Sequence, residues 1–177
     1  MFDDFSAKPL ALNKINQAYA LVRTTRPDLT ADGWRALATE YIAESSAEAP
    51  AARGVVAVQT DQGYIVGLFC YAACDDMRHG PTLRIENLIA LDLFDQAGVM
   101  AALLDEIEAL ARRLQRRAVV AEQPACSRPD SESGRLVAAW FADSDDPAQG
   151  LLRLLSQPSA AAMSEETASE GVMSAGA

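Results

Sequence analysis

The chain has 177 residues, half of them hydrophobic, and a formal net charge of −10. A domain of that length buries roughly 70% of the surface its unfolded chain would expose, so its core needs no disulfide or metal staple. The acidic balance excludes a nucleic-acid partner, whose phosphates are gripped by clustered Lys and Arg, and no apolar run approaches the roughly 20 residues of a membrane helix.

Three cysteines, Cys70, Cys74 and Cys126, form neither an even set nor a metal-like spacing. They are expected to be buried small hydrophobes, with no metal site. The opening "MFDDFSAKPL" carries acids where a secretory signal carries bases, so a cytoplasmic location is expected.

In chain order, "LNKINQAYALVRTTRPD" sets Leu12, Ile15, Ala18, Tyr19 and Val22 at helical spacing and meets Pro27, which predicts a helix over 12–25. Thr30 or Asp32 can cap the next helix, in which Trp34, Leu37, Ala38 and Tyr41 share a face. "GVVAVQT", "DQG" and "YIVGLFCYAAC" read as an antiparallel hairpin over 54–60 and 64–74. A polar loop, "DDMRHGP", leads to the strand "TLRIENLIAL", interrupted by Arg84, Glu86 and Asn87. Arg84 and Glu86 are two apart, hence on one face, and are expected to form a solvated or cross-strand polar pair there. His79, the single histidine, falls in the loop and is expected to be solvent-exposed.

From Ala97 the period changes: Val99, Met100, Leu103, Leu104, Ile107, Leu110, Ala111 and Leu114 mark one helical stripe. The basic run "ARRLQRR" closes that helix, where it complements the dipole. "RAVVAEQ" is a further strand, "GRLVAAWFAD" a short helix with Trp140 and Phe141 as core, and "QGLLRLLS" a last strand. Residues 1–157 are expected to form a single domain. The aperiodic Ala-, Ser- and Glu-rich stretch 158–177 is expected to be a disordered tail.

These elements give an α+β, or mixed α/β, class. Within them, "IENLIALDLFDQAGVMAALL" resembles the fourth strand, pyrophosphate turn and third-helix start of the GCN5-related N-acetyltransferase (GNAT) family, and "GYIVGLFCY" resembles one of its hairpin strands. The resemblance spans about Leu12 to Glu122. It implies a central mixed sheet flanked by helices, and transfer of an acetyl or other acyl group from acyl-CoA to a small-molecule or protein amine. It also places Glu86 as general base, and Leu88, Ile89 and Ala90 on the strand that lines the acyl donor. Backbone donors at Gln96, Ala97, Gly98, Val99 and Met100 then fall at the pyrophosphate turn.

The family's turn runs Gln or Arg, two residues, Gly, one residue, then Gly or Ala. Here those positions hold Asp95, Gly98 and Met100. An aspartate brings negative charge to the place of the diphosphate, and its carboxylate can cap the helix instead. A catalytically silent binding or regulatory module that no longer takes acetyl-CoA is therefore the alternative. The fourth-helix tyrosine that protonates the departing thiolate in the family falls on Trp140, which has no such proton to give, and Tyr71 is the nearest other phenol. A second copy of the chain is a further candidate partner.

Overall fold

A six-stranded sheet in sequential order, β1 to β6, organises the chain. The computed structural model describes residues 5–43, 51–91, 95–122, 130–143 and 151–155. The strands are β1 (Ser6–Pro9), β2 (Arg53–Gln59), β3 (Ile65–Asp76), β4 (Gly80–Ala90), β5 (Ala118–Ala121) and β6 (Leu151–Leu154). All neighbours pair antiparallel except β4 and β5, which are parallel and are joined through a helix, as parallel strands require. The expected tail and Cys126 lie outside the described residues.

The helices are α1 (Ile15–Thr25), α2 (Ala31–Ala43), α3 (Gln96–Arg113) and α4 (Glu132–Trp140), with a 3-10 turn over Leu12–Lys14 ahead of α1. Thr30, not Asp32, supplies the α2 cap: its hydroxyl accepts from the Gly33 N–H at 3.1 Å. Asp32 pairs with Arg35 at 2.7 Å on the exposed surface. The Trp34 indole donates to the Ile15 carbonyl at 2.8 Å, so a buried donor fastens α2 to the start of α1.

The two sheet faces carry separate cores. Val56, Val58, Phe69, Tyr71, Leu83, Ile85, Leu88 and Ala90 pack with the α3 stripe. Val55, Ala57, Leu68, Cys70 and Ile89 pack with α1 and α2. On α3, Val99, Met100, Leu103, Leu104, Ile107, Leu110 and Ala111 are buried, and each of the larger ones stabilises the fold by about 1.5–3 kcal/mol. Gly67 permits this approach, because a Cβ there would stand 2.7 Å from Val99 Cγ1.

Two expectations change. "DDMRHGP" is a tight hairpin turn: the Asp76 carboxylate accepts from the Arg78 and His79 N–H groups at 2.8 and 2.9 Å, closing the chain between β3 and β4. His79 is half-buried there, its Nδ1 3.1 Å from Asp76 Oδ1. The cysteines also divide: Cys70 is buried whereas Cys74 is partly exposed near the outer end of β3. In the basic run, Arg112 and Arg113 stand in the last turn of α3, where Arg112 pairs with Glu108 and Arg113 with Glu106, and Arg116 lies 3.7 Å from Asp75.

Candidate functional site

The site forms where β4 loses its partner on one side. Its pairing with β5 ends at Ile85 and Ala121, and the Glu122 N–H reaches the Ile85 carbonyl at 3.3 Å. From Glu86 to Ala90 the strand runs on, paired with β3 and with no β5 partner among the described residues. At the same point the β3–β4 register shifts between Leu68 and Cys70, and Asn87 takes φ 52°. This is a β-bulge with a left-handed residue, a conformation that Asn tolerates better than most side chains.

The bulge resolves the apolar run "NLIA". Leu83 and Ile85 face α3, as do Leu88 and Ala90, while Ile89 faces α1 and α2. A regular strand would have placed residues 83, 85, 87 and 89 together. The extra residue reverses the alternation, so that both ends of β4 bury the side chains suited to their cores.

Glu86 lies just before the bulge, opposite Cys70 on the face covered by α2. Its Oε2 is 3.4 Å from the Tyr41 hydroxyl of α2, a long hydrogen bond with the phenol as donor. Burial, then the Glu86 charge, raises the Tyr41 pKa above the ordinary phenol value, which keeps the hydroxyl protonated as a donor. The Arg53 guanidinium stands 5.6 Å from the Tyr41 ring centre and pairs with Glu40 at 3.1 Å. Cys70, beneath them, has its pKa pushed up to about 12 by burial; it is a packing residue, not a nucleophile.

Arg84 and Glu86 share a face, as expected, with Arg84 exposed; no ion pair joins them among the described residues, and Glu86 meets Tyr41 of α2. Tyr71 is removed from Glu86 altogether. It belongs to the α3 face, its ring over Gly54, where a Cβ would lie 2.7 Å from the hydroxyl. Trp140 is half-buried, with the Arg153 guanidinium 4.4 Å from its ring centre, while Phe141, at 4.6 Å in an edge-on contact, is fully in the core. Sequence reasoning missed Tyr41 as a site residue. Its helical spacing marked it only as a core position.

The turn after β4 is partly occupied by its own side chains. Asp95 is the N-cap of α3, its carboxylate accepting from the Gly98 N–H at 2.8 Å, and its carbonyl accepts from the Val99 N–H at 3.2 Å. Met100 lies one residue further in, where helix donors are bonded four residues back. The N–H groups of Gln96 and Ala97 have no acceptor among the described residues. Val99 and Met100 side chains are fully buried in the core, as are those of Leu88, Ile89 and Ala90 in β4, so any contact from these residues is through backbone. The Gln96 amide donates to the Ala90 carbonyl at 2.8 Å and stands 3.4 Å from the buried Ser133 hydroxyl, bracing β4, α3 and α4 at one junction. Phe94 lies outside the described residues.

No protein-family model and no curated protein matches the chain. Solved structures do. An aminoglycoside N-acetyltransferase, AAC(6')-Iy, in complex with CoA superposes with TM-score 0.63 at 14% identity, over 90% of this chain and 97% of that one. An aminoglycoside 6'-N-acetyltransferase from Acinetobacter baumannii follows at TM-score 0.62 and 13% identity, over 88% and 97%. A ribosomal-protein-alanine N-acetyltransferase from Brucella melitensis biovar Abortus 2308 gives 0.60 at 15%, over 81% and 94%. The likeness lies in the fold: the chain adopts the acyl-CoA N-acyltransferase fold of the GNAT family.

Proposed function

We propose that the protein is an acyl-CoA-dependent N-acyltransferase, with acetyl as the first acyl group to test, and that Glu86 is its general base. The observation that carries this is the position of Glu86, at the point where β4 bulges and parts from β5, on a face shared with the Tyr41 hydroxyl. Resemblance of fold to N-acetyltransferases, one of them in complex with CoA, supports the class of reaction.

The amine nitrogen attacks the thioester carbonyl carbon of the acyl donor, the carbon–sulfur bond breaks, and coenzyme A leaves as a thiolate that takes its proton from solvent. Glu86 takes the proton that the amine must lose, directly or through one water. Tyr41 holds the carboxylate through its hydroxyl. The edge of β4 from Glu86 to Ala90 has no partner strand, and the Gln96 and Ala97 N–H groups no acceptor, among the described residues; the first offers backbone groups to the donor, and the second, at the positive end of α3, suits an anionic moiety. The fit is therefore one of backbone, with the Asp95 carboxylate opposing it.

That opposition favours a second reading. The Asp95 carboxylate holds the Gly98 N–H, the third donor of the turn, which is what a module that has stopped taking acetyl-CoA would keep as a structural cap. Thiol release from acetyl-CoA with a panel of amines separates the two. Glu86→Gln should lower kcat strongly while leaving acetyl-CoA binding intact; turnover equal to the parent protein removes Glu86 from the mechanism.

A further inference from the structure

Arg84 is the neighbour of Glu86 on the same face of β4. Between Arg84 and Glu86 the strand is regular, since they pair with Ala72 and Cys70 and the bulge follows. Their Cα atoms are thus about 7 Å apart on one face. Across Ala72 in the same row stands Arg53, two strand spacings or about 10 Å from Arg84. Ala72, between them in the row, has only a methyl side chain.

Arg84 is one of five described arginines, with Arg23, Arg78, Arg117 and Arg135, that have no ion pair among the described residues. The chain carries 25 acids against 15 bases, and seven described arginines are ion-paired: Arg26, Arg35, Arg53, Arg112, Arg113, Arg116 and Arg153. Arg84 is exposed, stands two residues from a carboxylate on the same face, and pairs with no acid among the described residues. A guanidinium offers a planar fork of donors that matches carboxylate and phosphate oxygens.

We propose that the acceptor amine carries an anionic group, a carboxylate or phosphate on a short carbon spacer, and that Arg84 binds this group while Glu86 receives the amine. The proposal rests on the N-acyltransferase reading for its substrate role, but not for binding. It divides the site into two poles, one for each charge of a zwitterionic acceptor.

The test uses three primary amines of similar reach: β-alanine, O-phosphoethanolamine and ethylamine. With acetyl-CoA, at least one anionic amine should exceed ethylamine by about tenfold or more in kcat/KM, the scale of one charge-assisted contact. The one favoured distinguishes carboxylate from phosphate. Arg84→Gln should bring that ratio to about one, chiefly by raising KM, and Arg84→Lys should restore part of it. Equal kcat/KM for all three amines in the parent protein overturns the proposal while leaving the transferase reading in place. If no amine is acylated, ligand-observed NMR decides: binding of an anionic amine to the parent protein but not to Arg84→Gln supports the proposal, and absence of that difference overturns it.

Discussion

Adding one methyl at Gly98 should have different effects in two backgrounds. A Cβ there would run into Asp95 Oδ2 and stand 2.8 Å from Asp95 Cγ, so the carboxylate must leave the Gly98 N–H it now caps. Losing such a cap costs about 1 kcal/mol, within a range of about 0.5–2. Alanine in place of glycine in a helix returns about 0.8–1 kcal/mol. Gly98→Ala should therefore be neutral or destabilising in the parent chain. In an Asp95→Ala background the obstruction is gone, and the same change should stabilise by close to 1 kcal/mol. Urea unfolding of the four proteins measures the coupling directly, and a coupling near 1 kcal/mol is expected. If Gly98→Ala stabilises equally with and without Asp95, the cap is not the reason for the glycine.

Asp95→Asn keeps a capping side chain but removes its charge. Two unit charges about 4 Å apart repel by about 1 kcal/mol in water and about 4 kcal/mol at an effective dielectric near 20. Acetyl-CoA binding by calorimetry should therefore tighten by about fivefold or more at low salt; unchanged affinity would show that the carboxylate does not face the diphosphate. Alkaline stability follows from Cys70, whose thiol is raised from 9.0 to about 12 by burial. The native state keeps a proton that the unfolded chain releases, so this stabilisation is fully present below pH 9 and is lost as pH rises toward about 12. The slope is about 1.4 kcal/mol per pH unit, Tyr41 and Tyr71 adding to it above the ordinary phenol value of 10.0. Urea midpoints across this range should fall steeply for the parent protein and less steeply for Cys70→Ala; parallel curves would contradict the assignment.

Much of the fold was legible because the strong periods are local. The α3 stripe from Val99 to Ala111 and the hairpin of β2 and β3 follow from spacing alone. β1 was not, since "SAKP" has no alternation and ends in proline, and it is a strand only because β2 offers its edge. The bulge at Asn87 gives no signal in a run of apolar residues, yet it decides which face Leu88 and Ile89 serve. The site was half visible. Glu86 and Asp95 were marked by charge in the wrong surroundings, and Asp95 does cap α3. Tyr41 read only as a core position of α2, because its approach to Glu86 depends on how α2 lies on the sheet, and the face to which Tyr71 turns depends on β3; neither is encoded locally.

The central claim is that this fold holds an acyl-CoA. Thermal unfolding with increasing acetyl-CoA tests it most directly. At about a hundred times its Kd the ligand should add about 2.7 kcal/mol, which raises Tm by about 5–11 °C for a domain of this size. A saturable rise of that order is the expected result. No rise at about millimolar acetyl-CoA, in either the parent protein or Asp95→Arg, would contradict it and leave the silent module as the reading of the site.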